Sequence, residues 1–207
     1  MRISDLLAFV ADESSQEADH DSGKRGQTPL MFSRRSFLQT AVSPLFRDHG
    51  RISPPAPVPA VKLVRHDAAS TTLRELATGH VTAVQLMFTE CTTTCPIQAA
   101  IFQQVQRLVP NMASNGLQLL SLSVNPTADS PKALSKWLRR FHAGPGWIAA
   151  APSIKDGALI QNFFGKPNGD FSDHSTQVNI VDRQARLVWR TIELPRAEEI
   201  AAILQKA

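Results

Sequence analysis

The near-continuously apolar run from Val81 to Phe88 leads straight into Thr89-Glu90-Cys91-Thr92-Thr93-Thr94-Cys95-Pro96, and this junction constrains the fold more than any other stretch. Such a run reads as a strand covered on both faces inside a central sheet. Pro96 suits a first helical turn, where its missing N–H costs nothing. Ile97, Ile101, Val105, Leu108 and Val109 then repeat at helical spacing until Pro110 stops the run. Both cysteines of the chain therefore fall where a buried strand hands over to an amphipathic helix.

The alternation continues downstream. Leu117 to Val124 reads as a second buried strand, and Ser130-Pro131 opens a helix whose Leu134, Trp137, Leu138 and Phe141 share a face. Trp147 to Ala151 makes a short strand, and Ser153 begins a helix that carries Leu159, Ile160, Phe163 and Phe164 and ends at Gly165. A polar loop, 166–175, precedes a strand over 177–181, a tight turn at 182–185 and a returning strand over 186–190. A helix from about Pro195 to Gln205 ends the chain. Upstream, 61–64 reads as a short strand and 71–76 as a brief helical turn. The pattern predicts an α/β, thioredoxin-like fold: a central mixed sheet flanked by helices, with an inserted helix and a C-terminal β-hairpin plus helix. In sheets of this kind chemistry gathers at the carboxyl ends of the strands, where the cysteines lie.

Two domains of behaviour are expected, a leader over 1–60 and a folded domain over 61–207. Residues 1–23 carry one base against six acids, and residues 24–51 carry six bases against one acid. Neither segment has the periodicity to bury a face, and Pro54, Pro55, Pro57 and Pro59 read as a stiff linker. Ser33-Arg34-Arg35-Ser36-Phe37-Leu38-Gln39 resembles a twin-arginine (Tat) export signal, with Val58-Pro59-Ala60 as the best cleavage site. No apolar run approaches the ~18 residues a transmembrane helix needs. A formal charge of +4, from 22 basic and 18 acidic residues, is too mild to point to nucleic acid.

Residues four apart on a regular helix have Cβ atoms ~5–6 Å apart, whereas a disulfide wants ~3.5–4.5 Å. The residue before a proline also avoids helical angles. Cys95 is therefore expected at the helix cap and Cys91 on the preceding loop, with their sulfurs free to converge on each other or on one ion. Disulfide exchange, a soft metal and an inert disulfide all remain open. Of the six histidines, His174 alone sits in a long polar loop just before a strand, placed to come over the cysteines, and Asp173 beside it is a candidate to orient the ring or the loop. Two thiolates and an imidazole suit Cu(I), whereas zinc asks for a fourth ligand.

The motifs also resemble a known family. Cys91-Thr92-Thr93-Thr94-Cys95-Pro96, Ser123-Val124-Asn125-Pro126 with Asp129-Ser130-Pro131, and Asp173-His174-Ser175 before a strand ending in Val181-Asp182 are similar, in order, to the motifs of the SCO/SenC family of copper-binding thioredoxin-like proteins. The resemblance implies Cys91, Cys95 and His174 as copper ligands, for Cu(I), Cu(II) or both. It implies a metallochaperone that assists assembly of the binuclear copper site of cytochrome c oxidase, with that oxidase's copper-site subunit or another copper or thiol protein as partner. The alternative is a periplasmic thiol–disulfide oxidoreductase using Cys91 and Cys95 as its redox pair. The twin-arginine-like motif and the family resemblance together imply a periplasmic or otherwise extracytoplasmic location.

Overall fold

Strand and helix positions follow the apolar pattern closely through the middle of the chain. The computed structural model describes residues 49–165 and 175–207. In chain order these form β1 (Gly50–Pro57), β2 (Lys62–Arg65), β3 (Ser70–Thr72), α1 (Leu73–Ala77), β4 (Val81–Met87) and α2 (Thr94–Leu108). There follow β5 (Leu117–Ser123), α3 (Pro131–Arg140), β6 (Trp147–Pro152), α4 (Gly157–Phe164), β7 (Gln177–Val181), β8 (Arg186–Glu193) and α5 (Ala197–Leu204). Every residue of β4 and β5 is buried, as their apolar runs require.

The strands make one mixed sheet in the order β1-β8-β7-β4-β5-β6-β2-β3. The β4–β5 and β5–β6 pairs are parallel, and the outer pairs are antiparallel. Because successive side chains on a strand face opposite ways, β4 divides its core. Val81, Ala83 and Met87 pack with α2, α3 and α5, while Val84 and Leu86 pack with α4, which contributes Ile160 and Phe164, and with Leu73 and Ala77 of α1. This is the thioredoxin-like arrangement, with the sheet between two helical layers.

The lower boundary of the fold differs from expectation. The linker expected before Val61 is strand β1, which pairs antiparallel with β8 at Gly50–Arg190, Arg51–Trp189, Ala56–Leu187 and Pro57–Arg186. Prolines hid it, since they donate no ladder hydrogen bond and lie in a strand only at a sheet edge or a bulge. Both conditions hold here: β1 is an edge strand, and its register shifts between Arg51 and Ala56, around Pro54 and Pro55. Val58 is fully buried and donates its N–H to the Ala185 carbonyl at 2.9 Å. Cleavage after Ala60 would therefore remove an edge strand and a core side chain. The twin-arginine motif at 33–39 lies outside the described residues.

Short β3 was likewise absent from the sequence reading, which has only a helical turn at 71–76. That turn is α1, begun by a reciprocal cap: the Glu75 N–H donates to Thr72 Oγ1 at 3.2 Å, and the Thr72 N–H donates to Glu75 Oε2 at 2.8 Å. Among the described residues no helix is long and apolar enough to cross a membrane.

Candidate functional site

The two thiols sit where β4 ends and α2 begins. After Met87 the chain turns, with the Cys91 N–H donating to the Phe88 carbonyl at 3.2 Å. Helix α2 starts at Thr94, so Cys95 lies inside its first turn and not at its cap; Thr93 is the cap residue and offers no side-chain hydrogen bond. The Cys91 sulfur takes that role, accepting from the Cys95 backbone N–H at 3.4 Å. The Thr93 and Thr94 hydroxyls lie 3.7 and 4.0 Å from the same sulfur. An N–H otherwise left without a partner at the helix start is thus satisfied by a sulfur, and the positive end of the helix dipole faces that sulfur.

Neither cysteine is in a disulfide, and the two are unlike. Cys91 is 6% exposed and Cys95 is fully buried. Burial works to raise the Cys91 thiol, but hydrogen bonds from the Cys95 thiol, the Cys95 N–H and Thr93 outweigh it and bring the group down to about 7. Burial pushes Cys95 far above the usual thiol range. Its hydrogen bond to Cys91 and the charges of Cys91 and Asp129 add to this, and a hydrogen bond from the Phe88 backbone opposes it. Cys91 is therefore the thiol that ionises first, near neutral pH, and Cys95 holds its proton more tightly.

A chemical consequence follows from the sign of these shifts. A thiol titrating near 7 instead of ~8.5 holds roughly tenfold more thiolate at neutral pH, and the thiolate is the nucleophile. Alkylation of the reduced chain by iodoacetamide is expected to modify Cys91 first, with a rate that climbs through a midpoint near pH 7. Cys95 should resist until well above that range. Peptide mapping after partial labelling checks the order, and equal labelling of the two at pH 7 would contradict it.

Sequence reasoning gave no role to Asp129. It is 2% exposed and joins three segments. Its Oδ1 accepts from the Thr89 N–H at 3.0 Å and the Thr89 hydroxyl at 2.6 Å, and its Oδ2 accepts from the Ser123 hydroxyl at 2.6 Å. Ser123 Oγ in turn accepts from the Asn125 N–H at 3.0 Å. The cysteine loop, the end of β5 and the start of α3 are thereby fastened together. An acid directly before Ser130-Pro131, at a strand-to-helix junction, was the signal available in the sequence.

His174 and Asp173 lie outside the described residues. Among the described residues no three His, Cys, Asp or Glu side chains converge as a metal site would require. The pair that the structure does bring together, Cys91 and Cys95, supplies two soft sulfur donors of the kind that Cu(I) prefers.

The chain is thus a thioredoxin-like domain that carries two unbridged thiols, one at a helix start and one buried behind it. Residues 55–150 match the family model described as SCO1/SenC. Solved structures share the fold. A SCO1/SenC family lipoprotein from Bacillus anthracis aligns with a TM-score of 0.62 at 20% identity, over 75% of this chain and 98% of its own. Bradyrhizobium japonicum ScoI with copper bound aligns with a TM-score of 0.60 at 21% identity, over 73% and 99%. Yeast Sco1 with copper bound aligns with a TM-score of 0.59 at 18% identity, over 73% and 88%. No curated protein matches the chain by sequence.

Proposed function

We propose that this protein is a copper metallochaperone that binds one ion through Cys91, Cys95 and His174. We further propose that it assists assembly of the binuclear copper site of cytochrome c oxidase outside the cytoplasm. The observation that carries this reading is the pair of unbridged thiols converging at the start of α2, in a domain that matches the SCO1/SenC family model and is similar in fold to ScoI and Sco1 structures with copper bound. Copper here is cargo. Two thiolates are a soft donor pair suited to Cu(I), and an imidazole completes a three-coordinate set that a partner's ligands can invade. Binding releases the Cys95 proton, and the thiolate Cys91 offers the first point of attachment. The twin-arginine-like motif at 33–39 supports export, as does the likeness to a Bacillus lipoprotein.

The contrast between the cysteines favours a second reading, thiol–disulfide exchange. The Cys91 thiolate attacks a disulfide of the partner, one partner sulfur leaves as thiolate, and a mixed disulfide forms. Cys95 then gives up its proton and attacks the Cys91 sulfur, which releases the second partner thiolate and leaves the Cys91–Cys95 disulfide. Two electrons pass to the partner.

Titration of the reduced chain with Cu(I) against a chelator tests the first reading. One copper per chain is expected, with no binding after oxidation to the disulfide. His174→Ala should weaken the site at least about tenfold while the circular dichroism spectrum stays unchanged. Wild-type affinity in that variant removes His174 from the ligand set. A reduced chain that binds no copper yet reduces disulfides leaves exchange as the function.

A further inference from the structure

A groove of about 570 Å³ lies directly beside the thiol loop. Thr89 and Glu90, the two residues before Cys91, form one side, and Lys136, Trp137, Arg139 and Arg140 of α3 line the other. Helix α3, Pro-Lys-Ala-Leu-Ser-Lys-Trp-Leu-Arg-Arg, carries four cations and no acid. Lys136, Arg139 and Arg140 are exposed, and among the described residues none of the three is paired with a carboxylate. The dipole of α3 favours cations in its last turn, which accounts for Arg139 and Arg140 but not for Lys136 or for the concave wall shared with the thiol loop.

The groove is also held in shape. Its thiol-side wall is tied to α3 by Asp129, which accepts both Thr89 hydrogen bonds and directly precedes Ser130, whose Oγ caps α3 by accepting from the Ala133 N–H at 3.3 Å. On the helix side, the Trp137 indole is 3% exposed and its ring centroid lies 4.7 Å from that of Phe141. The Arg140 guanidinium sits 5.4 Å from the Phe141 ring centroid, which limits its motion. An apolar floor rimmed by cations that no carboxylate among the described residues pairs suits a segment that offers carboxylates around an apolar side chain, because such charge complementarity speeds encounter and sets orientation.

We infer that this groove is the docking surface for an acidic peptide segment of the protein that exchanges metal or electrons with Cys91 and Cys95. Lys136, Arg139 and Arg140 receive the segment's carboxylates, and Glu90, the acidic residue of the lining, turns them away from the thiol end. The partner's reactive sulfurs are then presented to Cys91, the residue that follows Glu90 in the chain. The inference rests on the dithiol reading above and adds the chemistry of the partner.

The test uses the full reduced chain and two probes, each a short cysteine peptide joined to thionitrobenzoate by a disulfide. One peptide carries Asp and Glu around a Leu, and the other carries Lys in place of the acids. The Cys91 thiolate attacks the peptide sulfur, the S–S bond breaks, and coloured thionitrobenzoate leaves with the electron pair. Rates are divided by that of a small uncharged disulfide, so a general loss of thiol reactivity cancels. The acidic probe is expected to react about tenfold faster than the basic one at low salt, with the ratio falling toward one in about 0.5 M sodium chloride. Lys136→Glu with Arg140→Glu should invert the ratio, and Lys136→Arg should keep it, which guards against a folding defect.

Equal rates for the two probes in the wild type overturn the inference, as does a ratio unmoved by charge reversal. Vesicles of anionic phosphatidylglycerol supply the other arm: if they bind the wild type but not the charge-reversed chain while the probe ratio stays near one, the face is a lipid site and the inference fails. Copper titration of the same chains keeps the two proposals apart. A protein that binds no copper but shows the probe ratio loses the metallochaperone reading and retains the groove.

Discussion

Asp129→Ala is expected to lower the stability of the reduced chain by about 3 kcal/mol, more than any other single change at the site. The carboxylate accepts from the Thr89 N–H, the Thr89 hydroxyl and the Ser123 hydroxyl. Removing it strands three donors in a place that is 2% exposed, and each buried donor without an acceptor costs ~1–3 kcal/mol. The total falls short of the sum because Thr89 is only partly buried and water can reach it. Asp129→Asn should cost less than half as much: its carbonyl still accepts from Thr89, and its amide can donate to a Ser123 hydroxyl that turns to accept. Urea unfolding with an unchanged m-value reads both variants. If alanine and asparagine cost the same, the hydrogen bonds are not what Asp129 contributes. The alanine variant should also let the Cys95 thiol fall from its raised position, because the Asp129 charge helps to hold it there.

The same residue shows where sequence reading reaches its limit. A strand buried on both faces announces itself, so β4 and β5 were legible from apolar runs alone; α2 was legible as a helix but not its buried face, since of Ile97, Ile101, Val105, Leu108 and Val109 the structure exposes Ile97 and Leu108 and packs the helix through Ala99, Phe102 and Val105. Edge strand β1 was not, because its hydrogen bonds and irregular register with β8 are made across the chain and its prolines argue locally for a linker. Cys91 and Cys95 stood out by their rarity and spacing. Their inequality did not, since it comes from a sulfur accepting an N–H at a helix start and from the full burial of Cys95. The start of α2 moved to Thr94 for the same reason, because the sequence gives no sign that a thiol will cap a helix. Asp129 acts across 40 residues on Thr89, a relation that only the folded sheet creates.

Phe102→Ala is the second large effect, expected to cost about 3–5 kcal/mol by loss of burial and by the cavity it leaves. Phe102 is fully buried on the face of α2 that meets β4 and β6, and its ring lies 5.7 Å from that of Trp147 in an edge-to-face contact. Trp147 is itself fixed, donating its Nε1–H to Ser121 Oγ at 3.0 Å. The void therefore cannot close by a simple swing of the indole, which argues for the upper half of that range. A double-mutant cycle with Trp147→Leu should return a coupling of roughly 1 kcal/mol from the ring pair. Ile97 provides the contrast on the same helix: it is 51% exposed, and Ile97→Ala should stay within about 0.5 kcal/mol. Comparable losses at the two positions would mean that α2 does not pack through Phe102. Because α2 carries Cys95 in its first turn, its seating on the sheet holds the second thiol beneath the first. Phe102→Ala should accordingly narrow the difference in alkylation rate between Cys91 and Cys95 as well as lower the unfolding midpoint.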